Sequence, residues 1–110
     1  MIVHNKLVRD RIPEIIRADG RIPLCETLDA EHYLDALEQK LLEEAAEFRQ
    51  TPCMEEMADL MEVIEAICKA RGFDPAALQA VRQEKAQKRG AFEKRIFLRA
   101  VAEPGEEIDP

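Results

Sequence analysis

The sequence lacks the cysteine pattern of a zinc site or of a disulfide-bonded extracellular domain. Its three cysteines, Cys25, Cys53 and Cys68, are odd in number, and no two of them form a Cys-x-x-Cys pair. Structural zinc sites and disulfide frameworks need closely spaced or paired cysteines. The chain is therefore expected to work in a reducing compartment, and we predict the cytoplasm.

Long apolar runs are also missing. No stretch of the chain approaches the roughly 20 apolar residues that cross a bilayer. The first eleven residues carry several charges instead of the apolar segment of a secretory signal. The sequence thus predicts neither a signal nor a membrane span, and no membrane partner is expected.

Basic residues are too few for a general nucleic-acid-binding protein. The 23 acidic side chains outnumber the 16 basic ones, and the net charge is -7. Proteins that bind nucleic acid through its phosphates rely on a positive field, so nucleic acid is not expected as a partner. An acidic protein meets a polyphosphate only when cations stand between the two, which favours a metal-dependent site.

What the sequence does contain is the material for a small helical domain. Of its 110 residues, 46% are hydrophobic and 35% are charged, which is enough to bury a core and leave a charged surface. We predict one all-α domain over residues 1–102, an antiparallel helical bundle that a partner subunit completes. A mobile polar tail is expected over residues 103–110, after a short extended or irregular segment, 91–101, that packs on the bundle.

Apolar residues at steps of three and four predict the first two helices. A short helix is expected over residues 12–18, with Pro13 in its first turn. A long amphipathic helix is expected from residue 30 to about residue 48, with Asp29 as its N-cap. Its apolar stripe is Leu34, Leu37, Leu41, Ala45 and Phe48.

Two further helices follow, each introduced by a capping residue and a proline. Thr51 and Pro52 predict the N-cap and first position of a helix that ends before Gly72. The fourth helix is expected over residues 76–89. The residues expected to face inward are Met57, Leu60, Ile64, Ile67 and Cys68 on the third helix, and Leu78 and Val81 on the fourth.

Five acidic residues on the two long helices form the most informative pattern. E-E-x-x-E places Glu43, Glu44 and Glu47 near the end of the second helix, and E-x-x-D places Glu56 and Asp59 near the start of the third. Residues three and four apart lie side by side on a helix. A short turn makes successive helices antiparallel neighbours, so the two acidic patches are expected to face each other.

Carboxylates gathered in this way are expected to hold a divalent cation. Close like charges raise one another's pKa unless a cation neutralises them, and hard oxygen ligands suit Mg²⁺, with Mn²⁺ as a substitute. At about 100° per residue, Glu44 and Glu47 lie nearer the apolar stripe than Glu43. We therefore predict Glu44, Glu47, Glu56 and Asp59 as metal ligands, with Glu43 and Glu47 helping to activate an attacking water.

The same acids have simpler interpretations. Glutamate is a good helix former and is common on solvated faces, so an acidic face also fits a non-catalytic helical dimerisation module. A nucleotide-binding sensor that holds metal and ligand with little turnover is a third interpretation. The second acidic pair at ligand spacing on the adjoining helix favours a metal site over the plain dimerisation module.

At these residues the chain resembles the all-α nucleoside triphosphate pyrophosphohydrolases, which include MazG-like proteins, phosphoribosyl-ATP pyrophosphohydrolases and dimeric dUTPases. The five acids match the EExxE and ExxD motif of that superfamily. The opening N-K-L-V-R-D-R-I-P-E-I-I, residues 5–16, and the later K-R-G-A-F-E-K-R-I-F-L, residues 88–98, look like the two ends of a small phosphoribosyl-ATP-pyrophosphohydrolase-like subgroup. The resemblance thus spans nearly the whole chain.

The resemblance implies a helical bundle assembled as a homodimer or homotetramer, with a Mg²⁺ site made by the five acids. It implies hydrolysis of a nucleotide between its α and β phosphates, which gives a monophosphate and pyrophosphate. The residues expected to contact the substrate are Lys6, Arg9, Asp10, Lys88 and Arg89. Compared with longer members, the chain has a shorter interval between its acidic motifs and only one such module, so the base and sugar of the substrate stay open.

Overall fold

A computed structural model describes residues 1–107 of the chain and contains four helices. These are α1 (Ile12–Ala18), α2 (Ala30–Gln50), α3 (Met54–Arg71) and α4 (Pro75–Arg89). No strand is found within residues 1–107, so the prediction of an all-α fold is confirmed. In this part of the chain no helix has the length and apolar character needed to cross a membrane.

The chain divides into two compact units. The first covers Met1–Pro75 and includes α1, α2 and α3, and the second begins at Ala76 and includes the rest of α4 and the segment after it. The predicted boundary between a domain and a tail at residue 103 stays a prediction. Residues 108–110 of that tail lie outside the described residues.

The helix α2 begins where the sequence predicts. The Asp29 carboxylate accepts a hydrogen bond of 2.9 Å from the backbone N–H of His32, which confirms Asp29 as the N-cap. The buried residues of α2 are Leu37 and Glu44, which lie seven positions apart and therefore on one face. Ala45, predicted in the apolar stripe, is exposed because it lies about 80° round the helix from Leu37.

The start of α3 differs from the prediction. Residues 51–53 form a short connection, Cys53 is the N-cap, and the helix begins at Met54. Thr51 is instead the C-cap of α2, with φ -132° and ψ 83°, and its N–H donates to the carbonyl of Glu47. The prediction of Thr51 as N-cap and Pro52 as first helical residue is therefore wrong.

The end of α3 agrees with the prediction. Gly72 has φ 72° and ψ 26°, a left-handed conformation that glycine adopts without strain, and its N–H donates to the carbonyl of Lys69 at 3.1 Å. The buried residue of α3 is Val63. Ile64, predicted to face inward, is 44% exposed because it lies about 100° round the helix from Val63.

The helices α2 and α3 pack against each other as antiparallel neighbours, as predicted. Arg71, at the end of α3, forms an ion pair with Glu38 in the first half of α2. At the other end of the pair, Glu56 near the start of α3 lies beside Glu44 of α2. The arrangement brings the end of α2 and the start of α3 together, where the acidic motifs lie.

The helix α4 buries none of its residues. Leu78 is 37% exposed and Val81 is 50% exposed, so the prediction that they face inward is wrong for the single chain. These two are the large apolar residues of α4, and the rest of the helix is alanine and polar residues. Two such side chains are too few to form the broad apolar stripe that fixes a helix against a neighbour.

The segment after α4 forms turns and contains neither helix nor strand up to residue 107. The N–H of Arg95 donates to the carbonyl of Phe92 at 3.3 Å, and that of Glu106 donates to the carbonyl of Glu103 at 3.1 Å. The irregular conformation agrees with the prediction. The packing of this segment on the bundle stays a prediction. Its exposed large apolar side chains include Phe92, Ile96, Phe97 and Leu98.

Candidate metal centre

Glu44 is the buried acid of α2. The residue is only 6% exposed, because it lies on the Leu37 face, which packs against α3. Burial raises the pKa of the Glu44 carboxyl, the hydrogen bond from Lys40 opposes that shift, and the negative charges of Glu47 and Asp59 add to it.

The acids of α3 lie on the buried face of that helix. Glu56 is half-buried and precedes Val63 by seven positions, so both lie on one face, and Asp59 is also half-buried. Within the described residues, Oε2 of Glu56 and Oε2 of Glu44 are buried and have no hydrogen-bond partner. Buried carboxylate oxygens normally have a partner because desolvation is costly. A cation between the two helices would satisfy both.

The five acids form two overlapping sets that share Glu44. One set is Glu43, Glu44 and Glu47 of α2, and the other joins Glu44 to Glu56 and Asp59 of α3. In each set, one carboxylate oxygen of every residue lies within 4.8 Å of the others. The structure therefore joins the two patches through Glu44, and the prediction that they face each other is confirmed for Glu44, Glu56 and Asp59. Glu47, a predicted ligand of the same ion, is grouped with Glu43 and Glu44 of α2 and not with the acids of α3. We call these five residues the acid cluster.

The structure reverses the predicted order of Glu43 and Glu47. Glu47 is exposed, whereas Glu43 is half-buried. Glu43 is covered by the segment before α1, where Lys6 Nζ lies 3.6 Å from its Oε1. The angular position of Glu43 on its helix does not predict this contact, because Lys6 is distant from Glu43 in the sequence.

Two predicted substrate residues lie on the acid cluster itself. Lys6 pairs with Glu43, and Arg9 donates from its guanidinium to Oδ1 of Asp59 at 2.7 Å. The hydrogen bond to Asp59 raises the pKa of Arg9. The sequence predicted contacts of Lys6 and Arg9 with substrate and did not predict their pairing with the acids.

The other predicted substrate residues take no part in these two ion pairs. Asp10 is exposed in the turn before α1. Lys88 and Arg89 are in the last turn of α4, in the second unit, where Lys88 Nζ lies 2.7 Å from Oε1 of Glu84. Their predicted contact with substrate stays a prediction.

Lys40 is a member of the site that the sequence analysis missed. Its side chain is only 17% exposed, and its Nζ lies 3.5 Å from Glu43 and 3.3 Å from Glu44. Residues three and four apart on a helix are neighbours, so the spacing from Lys40 to the two acids was the available signal. Lys40 balances part of the negative charge without reaching the two unpartnered oxygens.

A cleft of about 400 Å³ lies beside the acid cluster in the first unit. One wall is formed by the segment 4–7 and the other by α2. Lys40 and Glu43 line the cleft and also belong to the ion pairs of the cluster. A ligand in this cleft would have one end next to the carboxylates.

The comparisons with known proteins give one partial relative. A protein of Mycolicibacterium smegmatis, described as uncharacterized, is 59% identical over 44 residues. The match covers 40% of this chain and 45% of the length of that relative. No known family profile matches the chain, and no solved structure matches it.

Proposed function

We propose that this chain is a Mg²⁺-dependent nucleotide pyrophosphohydrolase of the all-α, MazG-like class. The observation that carries the proposal is the buried carboxylate of Glu44, which two sets of acids share and whose Oε2 has no hydrogen-bond partner within residues 1–107. Lys40 pairs with the other oxygen, Oε1, and a buried oxygen left without a partner still costs about 1–3 kcal/mol, a large share of the stability of a fold this small. A merely solvated acidic face contains no such group.

The acid cluster fits a hard divalent cation. Glu44, Glu47, Glu56 and Asp59 would hold Mg²⁺, or Mn²⁺ in its place; Glu44, Glu56 and Asp59 have carboxylate oxygens within 4.8 Å of one another, and Glu47 is linked to them through Glu44. When bound, Mg²⁺ supplies positive charge that stabilises the phosphoryl transition state and makes water more acidic. The side chains of the protein carry out the remaining steps of the hydrolysis.

Those steps hydrolyse one phosphoric anhydride bond. The oxygen of a water bonds to the α phosphorus, the bond from that phosphorus to the bridging oxygen breaks, and pyrophosphate leaves. Glu43 and Glu47, the two acids of α2 beside Glu44, would take up the proton of the water. Lys6 and Arg9 carry positive charge at the cluster and are placed to exchange their carboxylate partners for phosphate oxygens.

We also propose that the chain acts as a homodimer or homotetramer in the cytoplasm. The second unit exposes Phe92 and Phe97 at 95% and 87%, and α3 exposes Met61 at 62%. Burial of such side chains against another copy would lower the free energy of the assembly. The three cysteines are free thiols, which suits a reducing compartment.

The competing function is a dimerisation module whose acids have no ligand. The exposed apolar side chains of the second unit favour that alternative as much as they favour a dimeric enzyme. A measurement of metal binding distinguishes the enzyme from the plain dimerisation module. An enzyme or a sensor gains thermal stability from Mg²⁺ through Glu44, whereas a plain dimerisation module does not.

Pyrophosphate release tests the proposal directly. The purified chain is incubated with canonical, deoxy, oxidised and phosphoribosyl nucleotides, with Mg²⁺ and with a chelator. We expect release from at least one of them in Mg²⁺ alone. Glu44→Gln is expected to reduce release at least a thousandfold, equivalent to about 4 kcal/mol.

The matched control is Glu65→Gln. Glu65 is also a glutamate of the α2–α3 pair, but it is exposed and pairs with Lys69 at 3.3 Å. We expect this variant to keep full activity and the full thermal gain from Mg²⁺. Retained turnover in Glu44→Gln would refute the proposal, and a thermal gain from Mg²⁺ without turnover on any nucleotide would identify a sensor.

A further inference from the structure

We propose that the ammonium group of Lys40 occupies the position of a second metal ion, so that the acid cluster binds a single divalent cation. This inference rests on the proposed function and specifies how its site is loaded. It is carried by the position of Lys40, by the place of the unpartnered carboxylate oxygens and by the charges in contact with the cluster.

The acid cluster has the layout of a site for two ions. The α2 set is Glu43, Glu44 and Glu47, and the α3 set is Glu44, Glu56 and Asp59. The two sets share one carboxylate. In sites that hold two metal ions, the ions lie about 4 Å apart, close enough for a shared carboxylate to contact both. The acids alone would therefore allow one ion in each set.

Lys40 already supplies a positive charge to the α2 set. Its Nζ lies 3.3 Å from Oε1 of Glu44 and 3.5 Å from Oε1 of Glu43. The Lys40 side chain is only 17% exposed, so water screens its charge poorly. A divalent cation at the same two oxygens would have to displace this ammonium group or lie next to a like charge. Lys40 is thus expected to weaken binding of an ion in the α2 set.

The carboxylate oxygens that lack a partner belong to the α3 set. Oε2 of Glu44 and Oε2 of Glu56 are buried and have no hydrogen-bond partner within residues 1–107. The Glu44 side chain is more than nine-tenths buried. One cation in the α3 set would satisfy both oxygens, whose desolvation is otherwise uncompensated. Lys40 contacts the opposite oxygen of Glu44, Oε1, and leaves Oε2 accessible to that ion.

The charges in contact with the acid cluster also favour one ion. Lys6, Lys40 and Arg9 each form an ion pair with an acid of the cluster. When all five acids are ionised, these three cations leave two negative charges, which one divalent cation neutralises. A neutral residue in place of Lys40 would leave a third negative charge and favour a second ion.

Mn²⁺ binding to the full chain without nucleotide tests the inference. Electron paramagnetic resonance distinguishes free from bound Mn²⁺, so a titration gives the number of ions and their dissociation constants. We expect the natural chain to bind one Mn²⁺. In Lys40→Met and Lys40→Gln, a second ion should bind at least about tenfold more tightly than any second ion in the natural chain. Two ions that share Glu44 should also show magnetic coupling in the spectrum.

Two further variants separate charge from packing. Lys40→Arg keeps the positive charge and should bind one ion, as the natural chain does. Lys69→Met removes a lysine that also pairs with a glutamate four positions away, Glu65, at 3.3 Å, but is exposed and outside the cluster. This control should bind one ion as well. Thermal unfolding in a chelator shows whether each variant is folded.

The outcomes separate the inference from the proposed function. Two tightly bound ions in the natural chain, or a single ion in folded Lys40→Met and Lys40→Gln, would overturn the inference and show that Lys40 is only a structural partner of its two acids. Pyrophosphate release is measured on the same preparations in Mg²⁺. A natural chain that binds two ions and releases pyrophosphate would keep the proposed function. No binding of Mn²⁺ at millimolar concentration would overturn both.

Discussion

The two units of the chain bury very different amounts of themselves. In residues 1–75, α2 and α3 bury Leu37, Val63 and the acid Glu44. From Ala76 to residue 107 no residue is buried, and several large apolar side chains are exposed. The first unit thus combines a small core with the acid cluster, and the second presents apolar surface.

This difference separates two kinds of stabilisation. The buried residues of the first unit stabilise the single chain, whereas the exposed residues of the second contribute only when another surface covers them. In the first unit, the acid Glu44 lies on the same face as the buried apolar residues. Its buried carboxylate lowers the stability of the unit, although the proposed site needs that carboxylate. Substitutions in the two units should therefore differ in size and in the property that they change.

The largest effect is expected at the centre of the first unit. Leu37 is 2% exposed, so Leu37→Ala should lower the free energy of unfolding by about 3 kcal/mol through lost burial and an added cavity. Leu78→Ala in α4 should cost less than about 1 kcal/mol, because Leu78 is 37% exposed. Urea unfolding of both variants at one protein concentration measures the difference. Equal losses would show that the second unit has a core of its own in solution.

The next largest effect is expected on self-association through the second unit. Phe97→Gln should weaken the assembly by about 2 kcal/mol, roughly 30-fold in its dissociation constant, since aromatic side chains dominate interfaces. Arg99→Gln, two positions away, serves as the control and should change it little. Sedimentation equilibrium reports both constants. A wild-type chain that is monomeric at all concentrations would contradict the proposed assembly.

A smaller effect concerns the pH dependence of the first unit without metal. Because burial raises the pKa of Glu44, its contribution to stability is fully present below the ordinary pKa of glutamate and is lost as the pH rises through the raised value. Glu44→Gln should therefore be more stable than the natural chain at neutral pH, by on the order of 1 kcal/mol. Thermal unfolding in a chelator at pH 4 and pH 7.5 measures this gain, which should shrink at pH 4. Glu65→Gln should show no such trend, and a Glu44→Gln variant less stable at pH 7.5 would refute the argument.

The smallest effect is expected for the ion pair between Arg9 and Asp59. The two side chains are 56% and 40% exposed, so solvent screens their attraction. A double-mutant cycle with Arg9→Gln and Asp59→Asn in a chelator should give a coupling of about 0.5 kcal/mol. In 1 M salt the coupling should nearly vanish. A coupling above about 2 kcal/mol would mean that the N-terminal segment holds the first unit together.

Local signals in the sequence predicted the helices well. Asp29 and Gly72 mark helix ends through bonds to residues close in sequence, so their roles depend on little else. Thr51 followed the same logic and failed, because it ends α2 as its C-cap and Cys53 begins α3 as the N-cap. Whether a face of α4 is buried depends on the surface that packs against it. The spacing of apolar residues within the helix does not contain that information.

The sequence predicted the part of the candidate site that is formed by residues close to one another in the chain. The spacing from Glu43 to Asp59 was enough to expect the acids on facing helices, and the structure brings them together. The burial of Glu43, its pairing with Lys6 and the cleft next to them all require the segment 4–7 to lie against α2. That contact joins residues far apart in the chain, and helical periodicity predicts only contacts between residues close in sequence.

The brevity of the connection 51–53 has a consequence for how the protein folds. All five acids lie between positions 43 and 59, on a single helical hairpin. Contacts between residues so close in sequence have a small loop-closure entropy and form early. We therefore expect the carboxylates to meet before either terminus has folded, so that a divalent ion in the cell can join the folding nucleus and stabilise it from the first steps.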